Sequence, residues 1–155
     1  MGLSIMGERL LRQHKDETVS LAKAVWKAAK LKGSDVQVTF VLDVEMRALN
    51  RRWRKKDKTT DVLSFSAVEG EVVVGDDRFL GDLVISVETA ARQARECGHT
   101  LAVEVGVLVC HGLCHLQGLD HERGAFDAEK QVMIEMNILD TAGLPVTAAL
   151  AGRGF

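Results

Sequence analysis

The sequence is poor in cysteine and proline, has no long apolar run, and its charges nearly cancel. Its three cysteines, Cys97, Cys110 and Cys114, form an odd set, and two of them share one stretch with histidines. That pattern fits reduced, buried thiols in a cytosolic protein better than a disulfide framework. The longest near-apolar run, Val105 to Leu116, is too short to span a bilayer and carries two histidines. The N-terminus lacks the apolar core of a secretory signal, and Met1-Gly2 is not followed by Ser or Thr at position 6, so the myristoylation pattern fails as well. A cytoplasmic, soluble protein with no membrane partner is the expectation. The formal net charge of −2 argues neither for nor against nucleic acid, so any basic footprint must be local. With no repeat or linker, the 155 residues fit one domain spanning 1–155, long enough to bury most of its apolar surface without disulfides.

Against this plain background one stretch stands out, Cys110-His111-Gly112-Leu113-Cys114-His115-Leu116-Gln117-Gly118-Leu119-Asp120-His121. Residues four apart on a helix lie on one face, so His111 and His115 can reach a single metal ion. Gly118 falls where a glycine can take the left-handed conformation that ends a helix. The chain can then turn back and deliver His121. Three imidazoles with no fourth protein ligand leave an open coordination position, the catalytic pattern for zinc. Ligand type alone also admits nickel or another divalent metal. Cys114 is a poor fourth ligand, because adjacent helical residues diverge by about 100°. Asp120, beside a ligand, suits either an acceptor orienting an imidazole N–H or a turn residue.

The helix that carries this motif should be central. Thr100 can cap it, and from Leu101 to Leu116 its only ionisable residues besides cysteine are Glu104, His111 and His115. Imidazoles in such a setting need partners, since buried unpaired polar groups are costly, and a metal supplies them.

A second informative stretch is basic. Arg47, Arg51, Arg52, Arg54, Lys55, Lys56 and Lys58 surround a single acid, Asp57, a local charge of +6. Taken alone, such a run is most simply a solvated helix face and loop. For Arg54 the plain alternative is a salt bridge to Asp57 or Asp61.

The remaining chain reads as a mixture of helices and strands. Asp16 to about Leu31 is helical, with Val19, Ala22, Trp26 and Ala29 on one stripe and Gly33 closing it. Val36 to Leu42 is rich in β-branched residues and predicts a strand. Asp43 can cap a helix that places Met46, Leu49, Asn50 and Trp53 on or near one face. Asp61 to Val68 and Leu80 to Ser86 predict strands, with a connection around Val72–Val74 that suits a hairpin edge. Asp82, next to Gly81, suits a cap or turn. Glu88 to Cys97 is helical and ends at Gly98. A last amphipathic helix, 125–142, has Val132, Met133, Met136 and Leu139 as its apolar residues and stops at Gly143 and Pro145. Residues 1–14 show no clear period, and the final ten suggest loose order. The expected fold is α+β: a small mixed sheet of about four strands packed with about five helices, one of them buried and carrying the metal motif.

The histidine spacing resembles that of metzincin proteases, with one departure: Gly112 stands where those enzymes carry the glutamate general base. A closer resemblance covers the whole run. His-Gly-x-Leu-His-Leu-x-Gly-(aromatic)-Asp-His is the signature of the YbeY family of bacterial endoribonucleases, and this sequence departs from it only at Leu119, where the family usually has tyrosine. Leu49 to Ser66 resembles the family's second signature, with Trp53 for its aromatic residue and Thr59 and Ser66 for its prolines. Leu80 to Ser86 resembles a third segment.

The resemblance implies a zinc-dependent endoribonuclease acting on single-stranded RNA in 16S rRNA 3′-end maturation and ribosome quality control, with the small ribosomal subunit as partner. It matches Arg54 to an arginine that the family uses at its active site. A guanidinium there would stabilise charge growing on the phosphate, while Arg51, Arg52, Lys55, Lys56 and Lys58 would hold the RNA backbone. A zinc ion on His111, His115 and His121 would lower the pKa of bound water to about 7, which makes a missing glutamate tolerable, or it would polarise a phosphoryl oxygen while a ribose 2′-hydroxyl attacks. Two alternatives compete: a metalloprotease, and a ribosome-associated binding protein with a structural metal.

Overall fold

The computed structural model describes residues 2–30, 34–67, 79–117 and 125–145, with the side chains of 125–129 left aside. These residues form four strands, β1 (Leu3–Met6), β2 (Asp35–Val41), β3 (Val62–Ser66) and β4 (Phe79–Ser86). Five α-helices accompany them: α1 (Lys15–Ala28), α2 (Asp43–Arg54), α3 (Val87–Cys97), α4 (Leu101–Leu116) and α5 (Ala125–Thr141). The strands make one sheet in the order β1-β2-β4-β3, parallel except for β3, which runs antiparallel to β4. The α+β class and the mixed sheet are as the sequence predicts.

The sheet separates two apolar layers. Alternation along β2 turns Val36, Val38 and Phe40 to one face, where they join Leu83 and Ile85 of β4 and the buried residues of α1, α4 and α5. On the other face Val41, Leu63 and Val84 pack under Met46 of α2. α4 is buried along almost its whole length, as its composition requires. It lies tightly on the sheet at Gly112, where a Cβ would sit 2.6 Å from Leu83 Cδ2. Thr100 caps α4 by accepting from the Val103 N–H at 3.2 Å. Gly98, at φ 73°, ends α3 in the left-handed conformation.

One sheet edge is β1, within the N-terminal stretch that showed no period; four residues are too few to display alternation against background. The expected strand around Val72–Val74 lies outside the described residues. Two expectations need correction, those for Asp43 and Asp82. Asp43 is not a cap for its own helix: Leu42 holds that position, and Asp43 is the first helical residue. Its carboxylate accepts instead from Ser86 Oγ (2.6 Å), Thr89 Oγ1 (2.6 Å), Thr59 Oγ1 (3.1 Å) and Arg92 (2.9 Å), tying α2 to β4, α3 and the loop before β3. Asp82 is not in a turn but inside β4, opposite Gln37 and Phe65, where burial raises its pKa.

Candidate metal centre and basic face

α4 brings His111 and His115 together. Their Nε2 atoms are 2.8 Å apart, with the two rings nearly perpendicular at 77°. The four-residue spacing stacks the side chains on one face of the helix, and both rings aim one nitrogen at the same point. Two nitrogens bound to one tetrahedral zinc lie about 3.3 Å apart for Zn–N bonds of about 2.0–2.1 Å, so a few tenths of an ångström of opening would admit the ion. His121 and Asp120 lie outside the described residues.

The other nitrogen of His111 is also engaged. Nδ1 lies 2.9 Å from Oε1 of Glu135, a residue of α5 whose side chain is only 5 % exposed. With Nδ1–H donating to that oxygen, Nε2 carries the lone pair and points toward His115. A carboxyl behind a ligand histidine is the arrangement that fixes ring orientation and tautomer at metal centres. Glu135 Oε2 and both amide atoms of Gln131, one turn earlier, are buried without a hydrogen-bond partner among the described residues. The donor chemistry therefore fits a divalent ion held by imidazole.

Sequence reasoning missed Glu135. The expected apolar face of α5 was Val132, Met133, Met136 and Leu139. Of these Leu139 is fully buried, as expected, but among the described side chains the other buried residues of α5 are Gln131, Glu135 and Ile138, and Met133 is 72 % exposed. This face includes two polar residues, one of which serves His111, so hydrophobic period alone rotates the helix wrongly. A half-buried imidazole in need of an acceptor was the available signal.

Among the described residues two further groups have metal-ligand chemistry. Cys110, Cys114 and Glu135 bring ligand atoms within 4.8 Å of one another, as do Cys97, His99 and Glu104. Hydrogen bonding to Cys114, then burial, pushes the Cys110 thiol far above the ordinary thiol range, so it favours the protonated form. In the second group His99 Nε2 is 2.6 Å from Oε1 of the fully buried Glu104, joining the start of α4 to the turn before it. Gly112, where metzincins carry their general base, faces Leu83 on the sheet.

The basic stretch forms the end of α2 and the loop after it. Lys55 ends the helix at φ 61°, and the buried Asn50 amide donates to the Lys58 carbonyl at 2.8 Å, pinning the loop. Arg51, Arg52, Lys55, Lys56 and Lys58 are exposed. Asp57 is bound by Arg47 through two contacts of 2.9 and 3.2 Å, which lower its pKa. Arg54 is half-buried, donates to the Ser64 carbonyl of β3 at 2.6 Å, and lies over the Phe65 ring at 4.8 Å. The end of α4 approaches the same short strand. A Cβ on Gly81, the residue paired with Ser66, would lie 2.7 Å from Cδ2 of Leu116, the neighbour of His115. β3 and its partner thus link the helix ends that carry Arg54 and the histidine pair.

Residues 8–143 match the family model described as Endoribonuclease YbeY. A relative of that name from Aquifex aeolicus is 44% identical over 125 residues, 81% of this chain and 81% of its own length. One from Bacillus mycoides is 42% identical over 135 residues, covering 77% of this chain and 86% of that protein. A Myxococcus xanthus relative is 45% identical over 123 residues, 79% of this chain but 42% of its own length, so the chain spans less than half of that protein. A solution structure from Thermotoga maritima is similar over 89% of both chains, with 26% identity and a TM-score of 0.49.

Proposed function

The chain belongs to the YbeY endoribonuclease family, and from that premise we propose that it is a metal-dependent, single-strand-specific endoribonuclease of the cytoplasm, acting with the small ribosomal subunit in 16S rRNA 3′-end maturation and ribosome quality control. The observation that carries the metal dependence is the convergence of His111 and His115 Nε2 at 2.8 Å with Glu135 behind. In this proposal His121 is the third ligand, and Asp120 accepts an N–H from a ligand ring. Zinc suits three imidazoles and an open position, and nickel is compatible with the same donors. When bound, such an ion supplies acidified water or polarisation of a phosphoryl oxygen during attack by the 2′-hydroxyl.

The protein's own groups bind and orient the substrate. Arg54 presents a planar, permanently charged fork to the phosphate, its plane set by the Ser64 carbonyl and the Phe65 ring. Arg51, Arg52, Lys55, Lys56 and Lys58 hold the RNA backbone, a sequence-independent contribution that weakens with salt. The protease alternative lacks support at its decisive position, since Gly112 packs against Leu83 and carries no proton-transfer group.

Metal analysis and an RNA-cleavage assay test the proposal together. The purified protein should hold about one metal ion per chain, lost in the His111→Ala/His115→Ala double variant. Arg54→Ala should keep fold and metal yet lose cleavage of single-stranded RNA. A full metal complement in the double variant ends the site assignment, and undiminished cleavage by Arg54→Ala removes the role given to that residue. Metal-dependent cleavage of casein in place of RNA would establish the protease alternative.

A further inference from the structure

The chain has two tryptophans and five phenylalanines and no tyrosine. One of those few large rings, Trp53, is left 53 % exposed in the last turn of α2. An exposed indole forgoes the stabilisation of burial, although the apolar layer of Met46 and Leu49 lies on the same helix. Its setting is specific. Phe65 meets Trp53 edge-on, with ring centroids 6.5 Å apart and planes at 75°. The Arg52 guanidinium lies 5.0 Å from the indole centroid, and that of Arg54 lies 4.8 Å from the Phe65 centroid. Two guanidiniums and two aromatic rings thus form one contiguous cluster. The flanking Arg51, Lys55, Lys56 and Lys58 are exposed.

We propose that Trp53 is a stacking platform for one unpaired nucleobase of a single-stranded RNA, a role that rests on the ribonuclease proposal above. Single-stranded nucleic acid is bound by a positive groove that follows the phosphates together with aromatic side chains on which bases stack. Both parts are present here, and the charge complementarity favours a polyanion. The edge-on contact with Phe65 holds the indole upright, so little rotamer freedom is lost on binding. Arg52, exposed on its flexible stem, yields the indole face to the base and moves to an adjoining phosphate. Arg54, over the Phe65 ring and next to Trp53 in the chain, then meets a phosphate of the same RNA strand. Because every base has a π-face, the platform selects unpaired over paired nucleotides rather than one sequence.

The test uses the full chain as purified and a short 2′-O-methyl oligoribonucleotide, checked for integrity after each titration. A matched oligomer with abasic positions supplies the same phosphates without the bases. Trp53→Ala should weaken binding of the base-containing oligomer about 10- to 100-fold and leave the abasic oligomer unaffected, with the salt dependence unchanged. Trp53→Phe should restore most of the loss, which separates stacking from misfolding, and indole fluorescence should be quenched on binding in the wild type. Equal affinity of wild type and Trp53→Ala would overturn the platform while leaving the nuclease proposal intact. So would equal affinity of the wild type for the two oligomers, or competition by polyglutamate as effective as by RNA. No measurable binding of either oligomer, with no cleavage of RNA, would overturn both.

Discussion

Replacing Asp43 by asparagine should uncouple α2 from the rest of the fold in a way that depends on pH. Burial opposes ionisation of this carboxyl, but hydrogen bonds from Ser86, Thr89, Arg92 and Thr59 more than reverse that, holding its pKa down from 3.8 to about 2. A shift of that size corresponds to about 2.4 kcal/mol at 1.36 kcal/mol per unit. The side chain is 27 % exposed, so solvent screening reduces the realistic contribution to about 1–2 kcal/mol. The sign follows from the direction of the shift. A carboxyl whose pKa is depressed by folding stabilises fully above its unfolded value, and that stabilisation disappears as pH falls from about 4 toward 2. Asp43→Asn should therefore be less stable than the wild type by about 1–2 kcal/mol at pH 7, and the two proteins should converge at about pH 2. Urea denaturation at several pH values measures the gap directly, and comparison with the wild type cancels the other titrating groups. A gap that stayed constant from pH 7 to pH 2 would refute the charge-based account, leaving only shape and neutral hydrogen bonds.

Three other outcomes follow from the same geometry. Glu135→Leu should lower metal affinity about 10- to 100-fold, measured by competition with a chelator, and Glu135→Gln, which can still accept from His111 Nδ1, should lose less. Unaltered affinity in the leucine variant would mean that the carboxyl does not orient the ligand. Gly112→Ala should destabilise the protein by about 1–3 kcal/mol in thermal melts, because the new methyl meets the fully buried Leu83; wild-type stability would show that the helix has room to lift. Asn50→Ala should cost about 1–3 kcal/mol with metal content unchanged, since it orphans the Lys58 carbonyl that holds the basic loop. A neutral result there would show that the loop finds its place without the amide.

How much of this was legible in the sequence depended on whether a signal was local. The caps were, because Thr100 and Gly98 act on their own helix ends within a few residues. α4 was legible as the central helix, since a segment with so few ionisable groups has no polar face to give to solvent. The pairing of His111 with His115 followed from helix geometry alone. What escaped was everything decided by a partner distant in sequence. Asp43 looked like a cap because Asp favours that position, but Ser86, Thr89 and Arg92 offered its carboxylate stronger bonds from more than forty residues away. The run of cations gave no hint that Arg47 is committed to Asp57 while Arg54 is drawn onto the edge of β3.

The case of α5 shows the same limit with a functional consequence. Reading its face from hydrophobicity assumes that buried means apolar, which holds when the opposing surface is apolar. Here the opposing surface is α4, whose exposed-edge imidazole needs an acceptor, and the helix is rotated so that Gln131 and Glu135 face inward at the expense of Met133. Hydrophobic burial of Met133 would contribute roughly 1.5–3 kcal/mol. Leaving His111 Nδ1 without an acceptor would cost about 1–3 kcal/mol and would free the ring to turn its Nε2 away from His115. The two terms are comparable in size, so stability alone does not select the observed rotation. Glu135 behind His111 is the arrangement that the proposed metal site calls for, so the loss of metal affinity expected of Glu135→Leu tests what selects this rotation.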